Sequence, residues 1–175
     1  MRAIAEGFAA ESGLSSADLE FVGVQPQLVR RSATTETGEI REQVLGRAAS
    51  FVRRLEGLPG GHLSIRVNGQ GEVYSVVRNL RNASPAGRYP MLSPEEARLA
   101  LHSPVARIVG IDPRGGPCTA VIERTDLTYY EGPVGWATPV LQPVYRFEGT
   151  AHYQAGWTRE FYALVPAVRP EYTKL

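Results

Sequence analysis

Two β-forming runs hinged on Asn68-Gly69 constrain this chain more than any other feature. Leu63, Ile65 and Val67 alternate with Ser64 and Arg66, Asn68-Gly69-Gln70-Gly71 interrupts, and Val73 to Arg78 resumes as Val-Tyr-Ser-Val-Val-Arg. Alternation at period two places one set of side chains on one face of a pleated strand, and Asn-Gly supplies the positive-φ residues of a tight hairpin turn. The chain is therefore expected to build antiparallel sheet.

The other segments are read around that hairpin. Ile4, Ala5, Phe8 and Ala9 share a helical face, and Gly13-Leu14 supplies a left-handed stop and the apolar contact that follows it, so a short helix opens the chain. Leu19 to Arg31 reads as strand, and the polar stretch Ser32 to Glu39 reads as a turn or loop. Arg41 to Glu56 is ambiguous, because Val44, Ala48, Val52 and Leu55 also make a helix stripe. Ser93-Pro94-Glu95-Glu96 has the composition of a capping box with Pro at the first helical position, and Leu92 and Ala97 are spaced as a hydrophobic staple. A helix is predicted from there to about His102, with Ala97, Leu101 and Ala100 facing inward. Three further β-runs follow at Thr119 to Tyr130, Val140 to Glu148 and Thr158 to Val168. Pro143 and Pro166 each remove a ladder donor and are expected at an edge or a bulge. The order helix, strands, helix, strands makes an internal duplication a candidate.

Composition narrows the function classes. With 43% apolar and 21% charged residues the chain is an ordinary globular one, and a net charge of +1 gives no field to attract nucleic acid or an anionic bilayer. Apolar runs fall short of the about 18 residues that span a membrane, and the N-terminus lacks the basic-then-apolar pattern of a signal peptide. It reads instead as a helix already under way, which fits a piece excised from a longer polypeptide as well as a native start. Cys118 is the single cysteine, so neither an intramolecular disulfide nor a thiolate metal cluster is expected, and the thiol is read as inert.

Phe51-Val52-Arg53-Arg54-Leu55-Glu56-Gly57-Leu58-Pro59-Gly60-Gly61-His62-Leu63-Ser64-Ile65-Arg66-Val67, then Gly71-Glu72-Val73, then Leu92-Ser93-Pro94-Glu95-Glu96-Ala97, resembles the PepSY and FTP-type domains of metalloprotease propeptides and extracytoplasmic regulators of bacterial sensor kinases. The runs Thr128-Tyr129-Tyr130, Leu141 to Gly149 and Phe161 to Val168 are similar to the closing strands of such tandem proteins. Gly60 stands where a β-branched residue is more usual, and Arg107 to Pro117 is a longer link than a minimal unit needs. The resemblance implies an α+β fold of two repeated units, residues 1–90 and 91–175, each a helix packed on an antiparallel sheet. It also implies strand for Ser50 to Leu55 and an inhibitory or regulatory role outside the cytoplasm, with no catalytic residues to carry over. A protein partner is expected: a protease, a sensor kinase or a neighbouring domain.

Residues with reactive side chains do not fall into motifs. His62, His102 and His152 are isolated, without the spacing that sets two metal ligands on one helix face. Asn68 to Glu72 lacks the repeated carboxylates of a calcium loop, and Gly115-Gly116 leads into Pro117-Cys118-Thr119 where a phosphate loop would carry Lys followed by Ser or Thr. Glu95 and Glu96 belong to a helix's first turn, where carboxylates offset its dipole. Asn82-Ala83-Ser84 matches a glycosylation acceptor, relevant only in a eukaryotic secretory setting. No catalytic residue, metal ligand or cofactor is assigned. The competing readings are a small hydrolase using scattered groups such as His152 and Glu160, and a purely structural domain of a larger exported protein. For binding, the aromatic-rich last third supplies the candidates. Trp136 and Trp157, in glycine-containing loops, are the expected anchors, with Tyr130 and Arg146 beside them.

Overall fold

A computed structural model of the chain describes residues 1–33, 40–81, 83–84, 86–132 and 140–172. They form two compact units, one covering the described residues up to Arg81 and the other those from Ala83 onward.

The first unit opens with helix α1 (Arg2–Glu11), followed by strands β1 (Leu19–Ala33), β2 (Ile40–Leu55), β3 (Leu58–Asn68) and β4 (Val73–Asn79). The strands make one antiparallel sheet in the order β1-β2-β3-β4. Helix α1 ends where Gly13 takes φ +65° and the Leu14 amide returns to the Ala9 carbonyl. Its Ala5 and Ala9 are buried with Ala49, Phe51, Leu63, Ile65 and Val67. Each large apolar side chain withdrawn from water here contributes about 1.5–3 kcal/mol, which a helix this short cannot supply from its own backbone. A two-residue turn at Glu56 and Gly57, both at positive φ, closes β2 onto β3 and sets Leu55 opposite Leu58. The expected hairpin joins β3 to β4, but the positive φ falls at Gly71 (+88°) and not at Asn68 or Gly69.

The second unit holds α2 (Pro94–Leu99), a 3₁₀ turn at Ala100–His102, and strands β5 (Arg107–Val109), β6 (Cys118–Tyr130), β7 (Gln142–Tyr153) and β8 (Thr158–Pro166). The sheet is antiparallel in the order β5-β8-β7-β6. Ala97 is fully buried with Tyr145, Phe147, Ala163, Val165 and Ala167, and Ala100 and Leu101 pack against that cluster. The Tyr145 hydroxyl donates to the Leu92 carbonyl at 2.9 Å, tying the entry of α2 to the sheet, and burial raises its pKa. Gly149 lies opposite a bulge between Ile122 and Arg124, and a β-carbon there would collide with the Val121 carbonyl.

The α+β class with two repeated helix-on-sheet units is corrected by this architecture. The fold is mainly antiparallel β-sheet, and the helices are ten and six residues long. The sheets are not copies of one plan: β1 to β4 run as a simple meander, whereas the short β5 sits at the far edge beside β8. Ser50 to Leu55 is strand, part of β2. Pro143 and Pro166 are not on edge strands. They stand near the ends of the two interior strands β7 and β8, where losing an amide interrupts little of the ladder. Residues 34–39 of the expected hairpin loop lie outside the described residues.

The capping box at α2 is complete. The Ser93 hydroxyl accepts from the Glu96 amide at 3.1 Å, and the Glu96 carboxylate accepts from the Ser93 amide at 2.7 Å. The backbone bond from Ser93, helped by the Arg169 guanidinium 3.1 Å away, holds the Glu96 pKa below its ordinary 4.5. A group whose pKa is lower folded than unfolded adds stability above its unfolded pKa and loses it as pH falls through the folded one. Urea denaturation at a series of pH values should show a decline beginning near pH 4.5 that is smaller in Glu96→Gln. Ser93→Ala should lower stability by about 1 kcal/mol at neutral pH.

Candidate binding site

The described residues expected to form a binding surface are engaged within the second unit. Trp157 is stacked on Tyr153, with ring centroids 3.6 Å apart and planes 11° from parallel. Tyr153 is buried, and its hydroxyl accepts from the Asp112 amide at 2.7 Å. Gly115 completes this layer, since a β-carbon there would fall 2.5 Å from Tyr153 and 2.7 Å from Trp157. Trp157 keeps 38% of its surface exposed, but one ring face is covered by Tyr153, the side chain that ties the turn at Asp112 to the sheet. Trp136 lies outside the described residues.

Tyr130 and Arg146 project from the face of the second sheet opposite the Phe147 cluster. The Tyr130 hydroxyl accepts from the Arg107 guanidinium at 2.8 Å, although β5 and β6 are the two edges of the sheet. Arg146 pairs with Glu148 at 2.6 Å and lies over the Tyr162 ring at 5.0 Å from its centroid. Arg124 bridges Asp126 and Glu148 on the same face. Cations and carboxylates compensate one another there, and exposed pairs of this kind contribute little individually. The face is a self-satisfied ladder.

His152 and Glu160 sit on the exposed side of β7 and β8, opposite Thr158 and Thr150 respectively. Among the described residues, no group of three His, Cys, Asp or Glu is placed to hold a metal ion. Cys118 is half-buried at the start of β6.

A site that the sequence reading missed lies in the first unit. A cleft of about 350 Å³ is lined by Met1, Ile4, Val44, Leu45, Gly46, Arg47, Val67, Asn68, Gly69 and Gly71. Its origin is a mismatch of lengths. Strand β2 has 16 residues and extends about 50 Å, whereas α1 has ten and covers about 15 Å. Strand β3 pairs with β2 only from Leu58 to Asn68, and Asn68 faces Gly46. Beyond Gly46, β2 continues through Leu45, Val44 and Gln43 to Ile40 and is paired only with β1.

Val44, Leu45, Gly46 and Arg47 are consecutive residues of β2. A cavity touching all four, the side-chainless Gly46 among them, meets main chain as well as side chains. It runs along the strand's edge, in the notch left where β3 stops. Its rim is built by Asn68, whose side-chain oxygen accepts from the amides of Gln70 at 3.0 Å and Glu72 at 2.9 Å, while its amide donates to the Glu72 carboxylate at 2.8 Å. Ile4 closes the wall beside this turn, within 3.5 Å of where a Gly71 β-carbon would stand.

Val44 is 43% and Ile4 41% exposed, so the notch offers apolar surface to solvent. Arg47 is exposed and has no carboxylate partner among the described residues. Comparisons with protein-family models, curated proteins and solved structures give no match to this chain.

The Tyr153–Trp157 stack gives a direct expectation. Trp157→Ala should lower the stability of the second unit by about 1–2 kcal/mol in urea denaturation, with Trp157→Phe recovering more than half because a ring remains. An unchanged midpoint in Trp157→Ala would mean that the indole is not needed for folding and is available as an anchor.

Proposed function

We propose that this chain is a non-catalytic binding module that regulates a protein partner outside the cytoplasm, in the manner of the PepSY-type domains that its sequence resembles. The partner on this reading is a protease, a sensor kinase or a neighbouring domain of a longer polypeptide. The observation that carries the proposal is the notch beside β2: its lining of apolar side chains, strand and turn backbone and one guanidinium offers contact area and orienting polar groups. Such a lining holds a ligand, and it brings together no acid and base to transform one.

No helix among the described residues is long and apolar enough to cross a membrane. The second unit then serves as a structural body of the same chain, its outer face neutralised by its own ion pairs.

The test is a photo-crosslinking residue placed at position 44, in the cells that express the gene. It should join a polypeptide partner, and the same residue at position 124 should not. The purified protein should leave peptide, glycosidic and phosphoester substrates unchanged. Turnover of any of these, lost in His152→Ala or Glu160→Ala, would overturn the proposal in favour of a hydrolase.

A further inference from the structure

The first sheet ends unevenly, and the uneven end has chemistry of its own. Between Gly46 and Val52 strand β2 has a neighbour on each side, so both alternating sets of its backbone amides and carbonyls are used. From Ile40 to Leu45 β1 is its single neighbour, and among the described residues nothing takes the place of β3. An open stretch of strand edge beside an apolar wall is the geometry to which an extra strand adds: main-chain bonds supply affinity and alternate side chains supply specificity.

We infer that an extended polypeptide segment of the partner docks in this notch as a fifth strand on β2, continuing the line of β3, with an apolar side chain against Ile4 and Val67 and a carboxylate against Arg47. This rests on the binding reading above and names what is bound.

Two features select this occupant. The cavity follows the edge of the strand, touching four consecutive residues, so an occupant meets backbone as well as side chains. Arg47 is the charged side chain of the cleft lining and lies next to Gly46, so a carboxylate of the occupant finds a counter-charge there. The pairing of β2 with β1 is irregular at Leu28/Val29, where Leu45 bulges from the ladder, so the added strand pairs on either side of that residue.

The experiment uses the whole chain and synthetic octapeptides of Val, Ser and Asp, with the Asp moved stepwise along the peptide. Binding is measured by fluorescence anisotropy and located by amide hydrogen exchange. The expected result is that peptides with Asp near one end bind best and slow exchange at Gln43 to Leu45. Methylating the backbone nitrogens on the pairing side should weaken binding at least about tenfold, and Arg47→Glu should reverse the preference from Asp to Lys peptides.

Equal binding of the methylated peptides, or protection located elsewhere, would overturn strand addition and leave the binding reading standing. Failure of every peptide to bind at millimolar concentration would overturn the inference. So would a dimer of the purified protein in which these amides are already protected by a second copy. Failure of the binding reading itself is distinguishable, because it requires substrate turnover or the lack of a crosslinked partner at position 44.

Discussion

Everything in the first unit depends on the backbone pairing of β2. It is the longest strand, it is paired with β1 from Ile40 to Arg53 and with β3 only from Gly46 to Leu55, and its Ala49 and Phe51 form the floor on which α1 rests. A paired amide and carbonyl lose little on leaving water, whereas unpaired ones must stay where water or another chain can reach them. The short α1 and early-turning β3 bury the middle of β2 and leave its far end beside a cleft. The candidate site is thus a direct consequence of three element lengths.

The second unit solves a different problem with similar materials. Its sheet is held by side chains that reach across elements: the Tyr145 hydroxyl to Leu92, the Tyr153 hydroxyl to Asp112, and the Trp157 ring to Tyr153. Its interior strands tolerate Pro143 and Pro166 because these lie near strand ends, and Gly149 lets a bulged neighbour approach. On the outward face, Arg124, Asp126, Arg146 and Glu148 answer one another's charge. An account of binding that begins from aromatic richness is drawn to this unit, yet the described aromatics there are largely holding it together.

How far the sequence is legible follows from which signals are local. The Asn68-Gly69 turn, the capping box at Ser93 and the stop at Gly13 are set by two to four neighbouring residues, and each stands where the letters put it. Strand β2 is ambiguous for a physical reason: Ala48 and Ala49, on opposite faces, are both buried, so the two-residue alternation that marks a strand is blurred. The turn at Glu56-Gly57 lacks the Asn or Asp usual at such a site. The short β5 is hidden in what reads as a linker, because three residues carry no periodicity. Those gaps tilt the class towards α+β, since the strands that outweigh the helices are only partly readable. The notch is invisible for a related reason: it arises from the difference in length between two strands, and one of those lengths does not show in the letters.

Amide hydrogen exchange along β2 in the protein alone tests this account most directly. From Gly46 to Val52, amides facing either neighbour should be slow, because both ladders are present. From Ile40 to Leu45, slow and fast amides should be interspersed, the slow set facing β1 and the fast set facing the notch. Uniform protection through Leu45, Val44 and Gln43 would contradict it, since the edge would then already be paired.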